Sequence, residues 1–284
     1  MPELPEVEVT CQGLRPHLLG RSILAVRSSG KSLRRPIPED LLRRCLCGNT
    51  VLVVERRAKY VLIRLEDGAV LVIHLGMTGK LGIFPIDAEA ARHDHLVLTL
   101  DNEMELRFND ARRFGSVAIW PADEVEELEQ IFLARQGIEP FGAEFSGGNL
   151  LQLAKSCGLP IKSFLMDSRR ISGIGNIYAN EILFAAGIHP LCPANTLSLE
   201  QWQEVADCTI RILRQAIAAG GSTISDFLGA GGQPGYFQLQ LAVYGKKGEV
   251  CPRCGEEIVK EVIGGRATFF CSRCQKAPRI ISPR

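Results

Sequence analysis

The run Thr50–Leu75, TVLVVERRAKYVLIRLEDGAVLVIHL, holds three apolar segments separated by short polar breaks. Its Val, Ile, Leu and Tyr residues favour strands, and Asp67-Gly68 between two of the segments is a strong hairpin signal. Four similar segments lie outside this run, so we predict seven short strands in a β-sandwich or flattened barrel. The predicted strands are Ser22–Ser28, Thr50–Arg57, Lys59–Leu65, Ala69–His74, His95–Leu100, Met104–Asn109 and Ser116–Trp120.

Helices are predicted on both sides of these strands. Residues 5–19 form the first helix, because Pro5 suits an opening turn and Gly20 suits a helix end. After the acidic stretch 123–130 the pattern becomes helical, and Ser198-Leu-Glu-Gln201 is a capping box that opens a long amphipathic helix. Shorter helices are predicted at 149–156, 160–167 and 176–187. The pattern as a whole indicates an α+β multidomain protein.

Charge is unevenly distributed along a chain whose formal net charge is only +1. Residues 21–64 hold eleven Lys or Arg against three Asp or Glu, and residues 246–284 hold nine against four. Residues 123–144 carry seven acidic side chains and one Arg. Such segregation can build a positive face for nucleic acid on a neutral protein, although ordinary solvated Lys and Arg give the same counts.

Length and composition disfavour several classes of protein. With 284 residues and 46% hydrophobic content, the chain has enough apolar surface for about two folded domains, which argues against disorder. The longest apolar stretch, around Ala69–Leu75, is far shorter than the ~20 residues that cross a bilayer. The N-terminal run MPELPE lacks the basic and apolar regions of a signal peptide. We therefore expect a cytoplasmic protein without membrane contact.

Four of the ten cysteines form the pattern Cys251-x2-Cys254-x16-Cys271-x2-Cys274. This spacing is typical of tetrahedral zinc coordination by four thiolates, with two redox pairs or an iron–sulfur site as the alternatives. Four protein ligands leave no open position, so a zinc ion here is expected to be structural. The remaining cysteines are scattered and expected to be reduced; they are Cys11, Cys45, Cys47, Cys157, Cys192 and Cys208.

The segment Ile171-Ser-Gly-Ile-Gly-Asn176 lies between two predicted helices. Its glycines allow close backbone approach, and amides at the start of the second helix would face an anion such as a phosphate. Tight packing between two helices also needs glycines, and that is their commoner use. By itself the segment therefore leaves both interpretations open.

The N-terminus offers a nucleophile once the initiator Met is removed. Pro2 would then carry a free secondary amine, whose pKa of about 7.7–8.0 leaves more neutral amine at pH 7 than lysine has. Such an amine attacks an aldehyde-level carbon and forms a charged iminium, which favours loss of a β-leaving group. Glu3 lies beside it and is placed to move protons. The alternative is that Pro2 and Pro5 only start a helix.

Six segments, in order, resemble the formamidopyrimidine-DNA glycosylase family, which repairs oxidised purines in DNA. They are Met1-Pro-Glu-Leu-Pro-Glu-Val-Glu8, Arg57-Ala-Lys-Tyr60, His74-Leu-Gly-Met-Thr-Gly79, Asn109-Asp-Ala-Arg-Arg-Phe-Gly115, Gly173-Ile-Gly-Asn-Ile-Tyr178 and the four-cysteine tail. The resemblance implies an N-terminal helix on a β-sandwich, then a helix–two-turn–helix domain with a C-terminal four-cysteine zinc finger, and DNA in the cleft between them. The expected domains are residues 1–133, 134–240 and 241–284. The expected cofactor is one structural Zn²⁺.

The resemblance also implies roles in the chemistry for individual residues. Pro2 is the expected nucleophile at C1′ of the damaged nucleotide, and Glu3 is its acid/base partner. Lys59 matches a lysine linked to phosphate binding and β-elimination. Asn176 and Arg266 match residues that grip phosphates, and Arg266 is also linked to δ-elimination.

Further residues are expected to contact DNA. His74, His93 and Lys162 match DNA contacts, although some relatives have another basic residue where this chain has Gly158. Extrusion of a base leaves a gap in the duplex, and the resemblance implies that Met77, Arg112 and Phe114 form the void-filling triad. In this triad Phe wedges the stack, Met occupies volume and Arg bonds the orphaned cytosine. By residue type alone, the Met and the Phe would be assigned to the core.

The extruded base is expected to enter a lesion pocket. The resemblance assigns Glu6, Thr223 and Tyr236 to this pocket. Thr223 and Tyr236 lie near the ends of the glycine-rich segment Gly220–Gly235, which looks like a mobile flap over the base.

These features and the resemblance together predict a monomeric DNA glycosylase with AP lyase activity. As the resemblance implies, it would remove 8-oxoguanine and formamidopyrimidines from double-stranded DNA through a Pro2 Schiff base and β,δ-elimination. The related endonuclease VIII enzymes, which remove oxidised pyrimidines, share Pro2, Glu3 and the finger, but the void-filling triad and Leu4 favour the purine enzyme. A non-catalytic zinc-finger DNA-binding protein is the alternative from another class, and a retained Met1 would favour it. A zinc hydrolase is poorly supported, because the predicted metal site is closed.

Overall fold

The computed structural model describes residues 2–220, 227–228 and 241–277. The chain forms two compact units. The first comprises Met1–Ala134 with Ala216–Leu239, and the second comprises Arg135–Gln215 with Gln240–Arg284. The second unit groups helices with the four-cysteine segment, so the three expected domains describe a finer division and stay a prediction.

The described residues of the first unit form nine strands. They are β1 (Ile23–Ser28), β2 (Val51–Arg57), β3 (Tyr60–Leu65), β4 (Val70–His74), β5 (Gly79–Pro85), β6 (Asp94–Leu100), β7 (Met104–Asp110), β8 (Ser116–Trp120) and β9 (Phe227–Leu228). Two sheets result, with strand orders β1-β6-β7-β5-β9 and β2-β3-β4-β8. Among these pairings the short β5–β9 contact is parallel and the others are antiparallel. All seven predicted strands are confirmed, each to within one residue at either end.

Strand β5 differs from the sequence-based expectation, which had no strand at 79–85. Its sequence GKLGIFP contains two glycines and a proline, which are depleted in strands and weaken the alternating pattern. Seven residue pairs with β7, from Gly79–Asp110 to Pro85–Met104, supply the ladder that overrides this preference. The strand therefore depends on a partner that local sequence does not reveal.

Helix α1 (Leu4–Leu18) packs against β2, and α2 (Glu39–Leu46) and α3 (Val125–Leu133) complete the helices of this unit among the described residues. Val7, Cys11, Leu14 and Leu18 recur at three- or four-residue spacing and are fully buried. They join the apolar core that the sheets contribute. Burial of this stripe anchors the helix whose first residues carry the expected chemistry.

The second half of the chain is mainly helical, as predicted. Its elements are α4 (Gly147–Ala154), α5 (Ile161–Met166), α6 (Asn176–Ala185), a 3₁₀ turn (Ala194–Thr196), α7 (Leu199–Ala218) and the hairpin of β10 (Ile258–Ile263) with β11 (Arg266–Cys271). The predicted capping box is present: the Ser198 N–H donates to Gln201 Oε1 at 3.0 Å, and the Gln201 N–H donates to Ser198 Oγ at 3.3 Å. No helix in the described ranges has the length and apolar content needed to cross a membrane.

Candidate active site and DNA interface

The expected nucleophile and its partner lie at the start of α1. Pro2 and Glu3 are buried, and Glu3 is the N-cap of the helix. Glu3 and Glu6 form a capping box, in which the Glu3 backbone N–H donates to Glu6 Oε2 at 2.8 Å and the Glu3 side chain accepts from the Glu6 backbone N–H. Two buried carboxylates therefore lie beside Pro2, at a helix end whose dipole stabilises negative charge.

Lys59 lies in a two-residue turn between β2 and β3, next to Ala58 in the left-handed conformation at φ 53°. A non-glycine residue in this region needs support from its surroundings. Arg56 provides some of it, because its Nη1 donates to the Ala58 carbonyl oxygen at 3.1 Å. The Arg56 Nε in turn lies 3.4 Å from Glu8 Oε2 on α1. Helix α1, which begins two residues after Pro2, thus also helps to hold the turn that contains Lys59.

His74 ends β4 and pairs directly with Tyr60, the residue after Lys59. Burial chiefly, with the nearby charges of Arg34 and Lys59, lowers the pKa of His74 to about 4. Its Nδ1 accepts from the Gly76 N–H at 3.0 Å, so the proton of the neutral ring lies on Nε2. His74 is therefore a neutral hydrogen-bond donor, which suits a phosphate oxygen without requiring a charged imidazole.

The expected void-filling residues lie on two neighbouring loops. The Met loop, residues 75–78, joins β4 to β5, and the Arg-Phe loop, residues 111–115, joins β7 to β8. Met77 is 39% exposed and Phe114 is 41% exposed, which contradicts assignment of either to the core. Arg112 is also exposed, and its guanidinium carbon lies 4.7 Å from the centre of the Phe114 ring. The three side chains are thus available at one surface of the first unit.

His93 belongs to the same neighbourhood. It directly precedes β6 and is partly buried, and its carbonyl oxygen accepts from the Asp110 N–H at 3.0 Å, where the Arg-Phe loop begins. The first unit therefore contains both residues expected to bind phosphate, such as Lys59 and His74, and the residues expected to fill the void. Two of the three residues assigned to the lesion pocket, Thr223 and Tyr236, lie outside the described residues, as does most of the Gly220–Gly235 segment. The assignment of Glu6 stays a prediction.

In the second unit the glycine turn leads directly into α6. Gly175 is the N-cap and Asn176 is the first helical residue, while Gly173 has a φ of 85°. The Asn176 Nδ2 donates to the carbonyl oxygen of Ala267 at 3.0 Å, which ties this helix start to β11. Asn176 Oδ1 is buried and has no hydrogen-bond partner among the described residues. The bond to Ala267 supports the packing interpretation of this turn, and the N-terminal end of α6 supports the phosphate interpretation, because backbone amides there face an anion.

The burial of Lys162 is not what we expected of a residue in direct contact with DNA. Lys162 is only 1% exposed, and its Nζ donates to the Ala267 carbonyl oxygen at 2.9 Å and to Thr268 Oγ1 at 2.7 Å. A buried ammonium needs such acceptors, because an unpaired buried charge is strongly unfavourable. Its position indicates a role in holding β11 rather than a surface contact. Arg266, which precedes Ala267, is exposed.

Arg266 follows a turn built for close strand pairing. Gly264 and Gly265 have φ values of 56° and 72°, and Ile263 pairs with Arg266 across the turn. Two successive left-handed residues match the natural twist of a β-hairpin, which explains the Gly-Gly pair. The turn presents Arg266 at the end of a short, rigid hairpin.

The four-cysteine cluster fits a zinc ion. All four Sγ atoms lie within 4.8 Å of one another, with 3.8 Å between Cys251 and Cys274 and 3.5 Å between Cys254 and Cys271. Zn–S bonds of about 2.3 Å in a tetrahedron place sulfurs about 3.8 Å apart. Backbone N–H groups of Arg253 and Cys274 point at Cys251 Sγ and Cys271 Sγ, as expected for thiolates that bind metal. The chain therefore holds one structural zinc at the base of the β10–β11 hairpin.

Two side chains of α6 that the sequence analysis missed attach this finger to the helix. Glu181 is buried and accepts from the backbone N–H groups of Ala242, Val243 and Tyr244 at 2.7–2.9 Å. Asn180 Oδ1 accepts from the Phe269 N–H at 2.7 Å. The available signal was a carboxylate and an amide within the otherwise apolar helix NIYANEILFA. Such residues in a buried helix need partners, although the sequence does not say where the partners lie.

Comparison with protein families matches almost the whole chain. The formamidopyrimidine-DNA glycosylase N-terminal domain matches residues 1–117, the H2TH domain of the same enzymes matches residues 136–228, and the zinc finger found in FPG and IleRS matches residues 248–277. Similar curated proteins include formamidopyrimidine-DNA glycosylases of Stutzerimonas stutzeri, 45% identical, and Vibrio cholerae, 44% identical. Each alignment covers 97% of this chain and 100% of the relative.

Solved structures of Lactococcus lactis Fpg are also similar. A complex with DNA containing an abasic site aligns at a TM-score of 0.86, and a complex with DNA containing an oxidised pyrimidine aligns at 0.87. A third complex, with DNA containing N7-benzyl-Fapy-dG, also aligns at 0.87. In all three, 34% of residues are identical, and the alignment covers 97% of this chain and 100% of the other.

Proposed function

Because the chain belongs to the formamidopyrimidine-DNA glycosylase family, we propose that it is a base-excision repair enzyme for oxidised purines. Its substrate is double-stranded DNA that contains 8-oxoguanine or a formamidopyrimidine. It removes the base and then cleaves the strand as an AP lyase. The observation that carries this proposal is the Pro2-Glu3 pair at the buried start of α1, in a chain that matches the family over nearly its full length.

The Pro2 amine, freed by removal of Met1, attacks C1′ of the damaged nucleotide. A bond forms from the amine nitrogen to C1′ while the bond from C1′ to the base breaks, and the base leaves with a proton. Glu3 exchanges protons at the sugar, which helps the ring open and gives an iminium. The iminium draws electrons from C2′, which loses a proton as the 3′ phosphate departs. A second elimination, in which C4′ loses a proton, releases the 5′ phosphate. Water then hydrolyses the iminium, which frees Pro2 and the unsaturated sugar fragment and leaves a one-nucleotide gap with phosphates at both ends.

Other side chains hold the DNA for this chemistry. Lys59 binds phosphate and assists β-elimination, and Arg266 grips phosphate and assists δ-elimination. Asn176 contributes through its side-chain Nδ2 at the start of α6, which carries a second N–H besides the one that binds the Ala267 carbonyl oxygen. Neutral His74 donates from Nε2 to a phosphate oxygen. Because these contacts go to phosphates, binding is largely independent of sequence.

The void-filling triad compensates the cost of extruding a nucleotide. A flipped base loses pairing and stacking worth a few kcal/mol, and Phe114 and Met77 refill the space that it leaves. Arg112 bonds the unpaired cytosine on the other strand. The zinc ion keeps the finger folded and takes no part in the reaction. We further propose that the enzyme acts as a monomer in the bacterial cytoplasm, where the chromosomal substrate is.

Sodium borohydride trapping on an 8-oxoguanine:cytosine duplex tests the proposal, because borohydride reduces an iminium to a stable amine. Mass spectrometry should locate the covalent adduct at Pro2 and show that Met1 is absent. Trapping on an oxidised-pyrimidine duplex alone would favour the endonuclease VIII-like alternative, which the Lactococcus lactis complex with such DNA makes worth testing. DNA binding without any adduct, in protein whose Pro2 is the first residue, would favour a non-catalytic DNA-binding protein.

A further inference from the structure

Asp110, the last residue of β7, connects the two loops that carry the void-filling side chains. It is 0% exposed, yet it carries a carboxylate that contacts neither a Lys nor an Arg within hydrogen-bond distance among the described residues. One oxygen, Oδ1, accepts from Thr78 Oγ1 of the Met loop at 2.6 Å. The other, Oδ2, accepts from the Gly115 N–H of the Arg-Phe loop at 2.8 Å. A single buried carboxylate thus bonds both loops.

The Thr78 side chain forms a second set of hydrogen bonds between the loops. Its hydroxyl donates to Asp110 and at the same time accepts from the Arg112 backbone N–H at 3.2 Å. A hydroxyl has one proton to donate and two lone pairs, so both contacts are satisfied together. Thr78 directly follows Met77, and Arg112 is itself a member of the triad. The hydroxyl therefore links the backbone positions of two triad residues.

The backbones of the two loops also touch. A Cβ on Gly76 would lie 2.4 Å from the Gly115 nitrogen and 2.4 Å from the Phe114 carbonyl carbon, so only glycine fits. Gly76 also has a φ of 68°, which glycine adopts at little cost. The loops are consequently in direct contact, and the Asp110–Thr78 bonds fix their relative position.

We propose that Asp110 and Thr78 are positioning residues that clasp the Met loop to the Arg-Phe loop, so that the void-filling triad enters DNA as one preformed unit and discriminates the base opposite the lesion. This inference rests on the proposed function. Neither residue is in the triad, and both act through it. Their effect is on geometry, not on the chemistry at Pro2.

Discrimination follows from the rigidity of Arg112. The Watson–Crick edge of an unpaired cytosine offers two adjacent acceptors to a guanidinium, whereas that of adenine offers one acceptor beside a donor amine. An Arg whose backbone is held in place meets adenine with a donor facing a donor, and an unfavourable contact of this kind is what creates specificity. An Arg on a mobile loop would shift to relieve that contact. Loosening the clasp should therefore weaken discrimination more than it weakens binding.

A matched pair of variants tests the clasp, because Thr78→Val removes the hydroxyl at nearly constant volume and Thr78→Ser keeps it. The probe is duplex DNA with a tetrahydrofuran abasic analogue opposite cytosine or opposite adenine, which reports binding without cleavage. We expect Thr78→Val to lower the cytosine-over-adenine affinity ratio about fivefold, the effect of one hydrogen bond, while Thr78→Ser keeps the ratio of the wild-type protein. Asp110→Asn, which replaces an acceptor by a donor amide, should lower the ratio at least as much.

Amide hydrogen exchange supplies a readout that does not depend on DNA. The Arg112 N–H should exchange faster in Thr78→Val than in the wild-type protein or in Thr78→Ser, because it loses its acceptor. An unchanged ratio in Thr78→Val, unchanged exchange at Arg112, or equal losses against both opposite bases would each overturn the proposal. Wild-type protein that binds abasic DNA no better than intact duplex would instead refute the proposed function, and the exchange comparison would still decide whether the clasp exists.

Discussion

Two phenylalanines six residues apart show how exposure separates structural from functional side chains. Phe108, within β7, is 1% exposed and belongs to the core of the first unit, whereas Phe114 in the Arg-Phe loop is 41% exposed. A large aromatic side chain that stays this exposed gains little for the fold. The same amino acid therefore serves two purposes, and the difference lies in whether its backbone belongs to a strand or to a loop.

Alanine substitutions at these two positions should affect different properties, stability at Phe108 and lesion excision at Phe114. Phe108→Ala removes a packed core ring and should lower the free energy of unfolding by about 3–5 kcal/mol. Phe114→Ala should leave the free energy of unfolding nearly unchanged but reduce excision from an 8-oxoguanine duplex more than cleavage of a preformed abasic site. Denaturant unfolding and single-turnover assays on both substrates measure these effects. Equal losses of Phe114→Ala on both substrates would argue against a wedge.

His74 is a residue whose protonation is set by its surroundings. Burial, Arg34 and Lys59 lower its pKa to about 4, from an ordinary value of 6.5. Between these two pH values the unfolded chain binds more protons at this residue than the folded chain does. Consequently the contribution of His74 to the free energy of unfolding decreases as the pH falls from 6.5 toward 4. Above this window the ring is neutral in both states.

We expect nitrogen-resolved NMR of the imidazole to show a neutral His74, with the proton on Nε2, throughout the range from pH 8 to about pH 5. In His74→Asn, whose amide oxygen can replace Nδ1 as the acceptor for Gly76, the difference in unfolding free energy between pH 7 and pH 5 should be smaller. A titration of the His74 ring near its ordinary value of 6.5 would contradict this account.

At the scale of elements, α6 carries much of the second unit. Its first residue, Asn176, bonds β11, and further along Asn180 bonds β11 and Glu181 bonds residues 242–244 of the finger. A single carboxylate that accepts three backbone N–H groups leaves none of these donors unsatisfied. The helix thereby holds Asn176, which is expected to contact phosphate, in a defined position relative to the zinc finger.

Glu181→Gln should therefore loosen the finger. The amide would turn an NH₂ group toward backbone N–H donors, and leaving buried donors unpaired costs about 1–3 kcal/mol. Amide exchange should increase at Ala242, Val243 and Tyr244 but not within the sheets of the first unit. Glu144→Gln, at an exposed position, is the control and should change neither exchange nor stability. Protection at residues 242–244 that survives Glu181→Gln would exclude this role.

At the scale of the whole molecule, the zinc site and the two sheets formed by β1–β9 belong to separate compact units. The metal links the CxxC pair at Cys251 and Cys254 to the pair at Cys271 and Cys274, at either end of the β10–β11 hairpin. The first unit has an extensive apolar core of its own. Loss of zinc should therefore unfold the finger while the first unit stays folded.

We expect chelation, or Cys254→Ser, to abolish binding to lesion-containing DNA before it changes the sheets. Fluorescence anisotropy measures the binding, and exchange protection of β3 and β4 measures the integrity of the sheets. Substitution of the exposed Cys47, which lies outside the cluster, serves as the control. Undiminished lesion binding by Cys254→Ser would refute the structural role of the metal in DNA binding.

Sequence alone determined the features that depend on near neighbours along the chain. The seven predicted strands follow from β-favouring apolar segments, and the helix opened by Ser198 follows from a capping box of four residues. The prediction of a zinc site follows from the spacing of the four cysteines. The expected site residues were identified from motifs shared with the family, and their individual roles stay predictions. In each case the deciding interactions lie within a few residues or within a repeated spacing.

Only the tertiary structure decided the environment of the functional side chains. The burial of Lys162 depends on β11, which lies about a hundred residues further along the chain, and the low pKa of His74 depends on Arg34 and Lys59. The Asp110 clasp joins loops whose residues are more than thirty positions apart. Burial, desolvation and hydrogen-bond partners are properties of packed segments, and local sequence does not specify which distant segments will pack together.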